Sequence, residues 1–289
     1  MLAQFFTRLS LALLAVSLCV RVLTTPAQSN VQALARAPTA GLGRASRILL
    51  LTAHPDDECM FFAPTITALT SPSADAATEN AEPRELFSLC LSVGDADGLG
   101  KIRREELGRS LDVLGVNQLH RWLVDSPDLQ DNFTASWNTD IVANTIRPYV
   151  LGHQIDTILT FDKQGISSHP NHKSLPRGVR RLLETLPPDH PIEIHAFGLI
   201  TVHLAHKYLG PIAALLAKLD LSLNALLRPH ASGVPAFVAD VARYRTALRA
   251  MREHASQLVW FRWLYVAFSR YMWVNEWVRI APAGGQASA

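Results

Sequence analysis

The chain has 289 residues, 48% of them hydrophobic and 18% charged, which is enough apolar content for one large domain or two small ones and excludes disorder on a large scale. A formal net charge of +2 provides neither a global basic field for nucleic acid nor an acidic solvating excess, so partners must be read from local features. The three cysteines, Cys19, Cys59 and Cys90, include no metal-type pair and fit a reducing compartment.

No Asp or Glu precedes Asp56, and Leu9 to Val20 is an unbroken stretch of apolar and small residues between Arg8 and Arg21. Three readings fit this segment, taken as residues 1–23: a cleaved secretory signal, a mitochondrial transit peptide, or a signal anchor over Leu2 to Leu23 with both arginines snorkelling. Arg21, Arg36, Arg44 and Arg47 outnumber Arg8, which places the following domain on the cytoplasmic side if the segment is retained. Pro26 to Gly43 is rich in Ala, Ser, Thr, Pro and Gly and reads as the body of a linker over 24–46, ahead of a folded domain over 47–280.

Within that domain "RILLLTA" reads as a buried strand, followed by "ELFSLCLSV" (Glu85 to Val93) and "IDTILTFD" (Ile155 to Asp162). Leu69 to Pro83, between the first two, is polar and reads as a surface loop. Helices are predicted over Ile102 to Leu114, with Leu107, Leu111 and Leu114 at helical spacing, over Ile141 to Val150, and over "SLPRGVRRLLETL". The alternation implies a Rossmann-like α/β fold, a mostly parallel sheet with helices on both faces and ligands outside the carboxyl ends of the strands. Further on, Tyr208 to Leu227 carries Ile212, Leu216, Leu219, Leu223, Leu226 and Leu227 as an apolar stripe, but Lys218 and Asp220 make it too polar for a confident membrane span. It reads as an interfacial or docking helix. Four of the six Trp lie between Trp260 and Trp277 among Phe, Tyr and Arg, a composition that suits a bilayer interface and equally a packed C-terminal helix.

The chemistry sits at the predicted strand ends, in "TAHPDDE", "SVGDADGLG" and "TFDKQGISSHPNH". Adjacent carboxylates beside an apolar strand repel and are costly to bury, a conflict that a bound cation resolves. His54 and Asp57 are three apart on a strand-to-helix turn, and His169 and His172 repeat the spacing before the next helix. Two His and one carboxylate with an open fourth position suit a catalytic Zn²⁺. Alone, HPDDE would serve as a helix cap and HPNH as two solvated imidazoles; on one edge of one sheet they point to a metal site. Asp56 and His169 are then the candidates for base and acid. Cys59, in the apolar "CMFF", reads as an inert buried thiol.

Together with "SVGDADGLGKIRREEL" and the distant "HASQLVWFRWLYVAFSRYM", these motifs resemble the PIG-L type of N-acetylglucosaminyl-phosphatidylinositol de-N-acetylases within the wider zinc de-N-acetylases, over about Ile48 to Met272. HPDDE and HPNH are shared across the wider family, and WFRWLYVAFSRYM narrows the match to its lipid-linked branch. The resemblance implies His54, Asp57 and His172 as metal ligands, Asp56 as general base, and a protonated His169 that holds the oxyanion. It implies Zn²⁺, although ordinary affinities leave Fe²⁺ and Mn²⁺ open. Arg103 and Glu106 match the family's R-x-x-E pattern and read either as a surface ion pair or as a grip on substrate phosphate or hydroxyls. His254 in HASQ matches as well, as a substrate-side residue or a structural His.

The first expectation is therefore a membrane-anchored deacetylase of a glycophospholipid, at the endoplasmic reticulum with its catalytic domain facing the cytoplasm. The rivals are a soluble or secreted deacetylase of another amino sugar and a catalytically silent membrane scaffold. Protein partners are not indicated, nor is nucleic acid. Asn132-Phe133-Thr134 is a formal glycosylation sequon, which stays bare in the cytoplasm.

Overall fold

Strands form where the chain alternates apolar runs with turns, and the runs buried on both faces make the centre of the sheet. The structure, a computed structural model, describes residues 2–29, 46–71, 84–187, 190–227 and 234–281. Its strands are β1 (Gln28–Ser29), β2 (Ser46–Thr52), β3 (Arg84–Cys90), β4 (Arg121–Leu123), β5 (Thr157–Phe161), β6 (His195–Leu199), β7 (Ala236–Val238) and β8 (Val274–Arg279). They form one eight-stranded sheet in the order β1-β7-β8-β6-β5-β2-β3-β4. From β4 to β6 every pairing is parallel, while β8 runs antiparallel to β6 and β7, and β1 antiparallel to β7.

The helices are α1 (Leu2–Thr24), α2 (Asp57–Phe61), α3 (Ala63–Thr70), α4 (Gly100–Val113), α5 (Thr139–Gly152), α6 (Gly165–Ser168), α7 (Pro170–Glu184), α8 (Leu204–Lys207), α9 (Pro211–Leu227), α10 (Val241–Glu253) and α11 (Trp260–Phe268). Helices connect the successive parallel strands, as a crossover requires: α2 and α3 after β2, α4 after β3, α5 after β4, and α6 and α7 after β5. Between the antiparallel β7 and β8 lie α10 and α11, and there the chain re-enters the sheet at the end where β7 left it. Two helix groups cover the sheet: α5 packs on α7, which rests on β5 and β2, and α4 and α3 pack on α10, with α3 resting on β3, β7 and β8.

The aromatic segment divides between its two readings. Trp277 in β8 is 1% exposed and stacks on Phe62, whereas Trp260 in α11 is 75% exposed. Phe261, Trp263, Leu264 and Phe268 of α11 are exposed as well.

Helix α1 is long and apolar enough over Gln4–Thr24 to cross a membrane, and its side chains from Phe5 to Val20 face outward. Only its end is held. Lys218 of α9, 3% exposed, donates from Nζ to Val22 O (3.0 Å), Thr25 O (2.9 Å) and Thr25 Oγ1 (3.0 Å). The charge that makes α9 too polar to span a bilayer thus satisfies carbonyls at the C-terminus of α1, where a helix end leaves them bare and favours a cation. Of the expected linker, Gln28–Ser29 pair with β7, and 30–45 lie outside the described residues. So do 72–83 of the polar insertion.

Candidate active site

The turn from β2 into α2 folds around its own carboxylates. Asp57 Oδ2 accepts the N–H groups of Ala53 and His54, both at 2.9 Å, leaving Oδ1 3.2 Å from His172 Nε2. Burial opposes the charge of Asp57, yet the His172 and His54 imidazoles hold its carboxyl well below the usual range. Asp56 adopts φ 108°, ψ −24°, a left-handed conformation that costs a non-glycine residue on the order of 1–3 kcal/mol. Glu58 Oε2 accepts the Asp56 N–H at 3.0 Å and fixes that backbone. Glu58 Oε1 accepts the Ser110 hydroxyl and lies 2.7 Å from His254 Nε2. Cys59 is buried with Sγ 3.2 Å from Asp56 O, and burial pushes its thiol well above the ordinary value, as an inert thiol requires.

The loop after β5 is bent to match. Asp162 Oδ1 accepts the N–H groups of Gln164 and Gly165, both at 2.9 Å, and Oδ2 accepts that of Thr201 at 2.7 Å. Gly165 has φ +65°, and a Cβ there would stand 2.9 Å from His172 Cβ. Ile166 and Ser168 also have positive φ, 60° and 62°, rare for a β-branched residue above all. Gly165 O lies 3.2 Å from His172 Nδ1, which turns Nε2 toward Asp57. His172 stacks on Phe161 with centroids 4.0 Å apart. His169 caps α7, its Nδ1 accepting the Asn171 N–H at 3.2 Å, so the neutral ring carries its proton on Nε2.

His54, His169 and His172 meet with one nitrogen from each within 4.8 Å of the others, and Asp57 Oδ1 touches the same group. His54 Nε2 is also 3.0 Å from Asn171 Oδ1 and 3.2 Å from Asp131 Oδ1. Asp131 Oδ1 is buried without a hydrogen-bond donor, although imidazoles face it. Converging imidazole nitrogens and buried carboxylate oxygens are the donor set of a divalent cation site, so the residues present fit a metal.

The Asp56 carboxyl is pushed up to about 6 by burial, against the pull of Arg262, whose Nη2 lies 3.1 Å from Asp56 Oδ2. His169 is pushed down to about 4 by burial and by the neighbouring His54 and His172. Burial above all, and then the neighbouring imidazoles, act against the pull of Asp131, 3.9 Å away, and favour a neutral His169 over the protonated one that the resemblance implies.

Arg103 and Glu106 do not pair with each other. Arg103 donates to Gly94 O (2.7 Å) and Pro55 O (3.0 Å) and reaches Asp131 Oδ2 at 3.3 Å. Gly94, at φ +70°, leaves the space this needs, since a Cβ would fall 2.6 Å from Arg103 Cζ. Arg103 thus braces two loops at the cleft wall. Glu106 accepts the Ser256 N–H and hydroxyl at 2.7 and 2.6 Å, fixing the HASQ segment. His254 is fully buried against Glu58, behind the wall.

Asp131, Asn171 and Arg262 were not singled out from the sequence. Asn171 lies inside HPNH, where its motif was signal enough. Asp131, in the loop beyond β4, and Arg262, among aromatics, have no local pattern.

The group opens into a cleft of about 640 Å³ lined also by Asp97, Phe133, Lys207, Tyr208 and Tyr265. A second hollow of about 640 Å³ adjoins it, lined by Leu264 and Phe268 and sharing Met60, Tyr208, Phe261, Arg262 and Tyr265 with the cleft.

Residues 49–183 match the profile of the family described as PIG-L, GlcNAc-PI de-N-acetylase. The chain is 38% identical to the N-acetylglucosaminyl-phosphatidylinositol de-N-acetylase of Bos taurus, over 83% of this chain and 87% of the relative. It is 34% identical to the probable enzyme of the same name from Dictyostelium discoideum, over 81% and 93%. Among solved structures, the N,N'-diacetylchitobiose deacetylase from Pyrococcus horikoshii matches with a TM-score of 0.52 at 15% identity, over 86% of this chain and 89% of that one. This last likeness shows the shared α/β fold.

Proposed function

From the premise that the chain belongs to the GlcNAc-PI de-N-acetylase family, we propose that it hydrolyses the N-acetyl group of N-acetylglucosaminyl-phosphatidylinositol. The products are acetate and glucosaminyl-phosphatidylinositol, in the second step of GPI-anchor biosynthesis. The observation that carries this reading is the meeting of His54, Asp57 and His172 with Asp56 and His169 at the floor of a cleft that continues into an apolar hollow.

His54, Asp57 and His172 would hold the metal, proposed as Zn²⁺. Such an ion supplies Lewis-acid polarisation of the acetamide carbonyl and lowers the pKa of the attacking water. Asp56, held in a left-handed turn with its pKa near the working pH, accepts the proton of that water as the C–O bond forms. His169, with Nδ1 engaged by Asn171, presents Nε2–H to the oxygen on which negative charge develops. Asp56 then returns its proton to the sugar nitrogen as the C–N bond breaks, which balances amide and water against amine and acetic acid. Asn171 and Asp131 hold His54, and Arg103 holds Asp131.

The exposed α1 and the outward aromatics of α11 support action at a membrane. The endoplasmic reticulum and a cytoplasmic catalytic face are proposed from the pathway and the arginine bias. The test is acetate release by purified full-length protein from the glycolipid in vesicles, with and without chelator. Absence of release in the metal-replete sample refutes the proposal.

A further inference from the structure

Three cations line the cleft, and two of them are already engaged with the protein. Arg103 donates to Gly94 O and Pro55 O and pairs with Asp131. Lys207 donates to Ile166 O at 3.3 Å and does not reach the apolar hollow. Arg262 differs. Among the described residues it is the one cation lining both the cleft and the hollow, so it marks their junction. One Nη contacts Asp56 Oδ2 at 3.1 Å and the other lies against Met60 Sδ, a weak acceptor. Its side chain is 28% exposed. The guanidinium lines both cavities with two of its five N–H groups accounted for by these contacts, and a planar fork can hold a carboxylate on one edge and a phosphate oxygen on another.

An N-acetylated sugar joined to phosphatidylinositol presents an acetamide, then a phosphodiester, then acyl chains. The protein presents the imidazole–carboxylate group, then Arg262 at the junction with Met60 and Phe261 beside it, then the apolar hollow that reaches Leu264 and Phe268. We propose that Arg262 is the substrate-binding residue that recognises the phosphodiester, and that the glycerolipid leaves the cleft along the adjoining apolar hollow. This rests on the substrate reading given above. It also gives the substrate one direction of entry: reversed, acyl chains would meet buried carboxylates and the phosphodiester would lie against aromatic rings, both costly.

The test uses full-length protein in detergent micelles and two water-soluble probes, N-acetylglucosaminyl-inositol and its glycerophosphoryl derivative. A charge-assisted contact made to only one of them gives the unmutated protein a preference in kcat/KM of about tenfold to a hundredfold for the phosphodiester. Because Arg262 also touches Asp56, Arg262→Gln lowers turnover of both probes, and the readout is their ratio. The expected result is a ratio near one for Arg262→Gln, and an intermediate ratio for Arg262→Lys, which keeps the charge and loses the fork. Equal losses on both probes with the ratio preserved mean that Arg262 acts through Asp56 alone, and overturn the proposal. An unmutated protein without preference overturns it too. Should Arg262→Gln fail to fold by circular dichroism, a ratio for Arg262→Lys equal to that of the unmutated protein overturns it. Acetate release from neither probe nor the complete glycolipid refutes the proposed function instead.

Discussion

His254 Nε2 lies 2.7 Å from Glu58 Oε1 with neither side chain exposed, and the other oxygen of Glu58 accepts the N–H of Asp56. An ion pair buried deep behind the cleft thus fixes the backbone of the proposed base in its left-handed turn. Removing one partner leaves the other charged and unpaired, so His254→Ala is expected to destabilise the protein by about 3–5 kcal/mol. Denaturant titration in detergent measures it, and a loss within ordinary surface-mutation scatter would deny the pair its role.

The same pair sets a pH window. Burial opposes both charges, but His254 holds Glu58 below its ordinary 4.5, and Glu58 holds His254 above its ordinary 6.5. A depressed carboxyl contributes stability above 4.5 that is lost as pH falls through its folded pKa. A raised imidazole contributes stability below 6.5 that is lost as pH rises through its folded pKa. The contribution is complete between 4.5 and 6.5 and declines on either side. Melting temperature against pH, unmutated protein minus Glu58→Gln/His254→Gln, should show that plateau; a flat difference contradicts it.

Asp56→Asn should keep its metal and lose turnover by about a hundredfold or more, the usual weight of a general base. Acetate release and elemental analysis on one preparation check both halves. Near-normal turnover in the metal-loaded variant assigns the base elsewhere.

His172→Ala removes the imidazole that touches Asp57 Oδ1 and stacks on Phe161. The purified variant should contain far less metal than the unmutated protein by elemental analysis. Full stoichiometry would exclude His172 as a ligand.

Asn132 is exposed, but its Oδ1 accepts the Thr134 N–H, the Thr134 hydroxyl and the Ala135 N–H. Its neighbour Phe133 lines the cleft, so a glycan would crowd the entrance. Glycosidase treatment should leave gel mobility unchanged. A shift abolished by Asn132→Gln would place the domain in a lumen.

The motif-bearing half of the site was legible because strand-end loops carry their chemistry in contiguous runs: HPDDE follows β2 and HPNH opens α7. Asp131 escaped notice because it comes from an irregular loop and acquires meaning only from His54 and Arg103, distant in sequence. The charge state of His169 was equally hidden, since it depends first on burial and then on two other imidazoles. In the sheet, β2, β3 and β5 stood out as apolar runs, whereas β4, β7 and β8 are short or interrupted by charge and become strands through their partners. The aromatic segment had two readings because it contains two elements, an outward helix and a buried strand.

Between the last residue of α1 and the first of β1 stand Thr25, Pro26 and Ala27, and Ala27 N–H is tied to Asp240 Oδ2 at 3.1 Å. With Lys218 gripping the same turn, the joint has no slack. With α1 in a bilayer, the catalytic domain cannot tumble freely about its stem; it travels in the plane at a set height and heading. Its encounters become a two-dimensional search among lipids of its own leaflet, governed by their mole fraction in the membrane and not by bulk concentration. A glycolipid in the opposite leaflet would be out of reach however abundant it was.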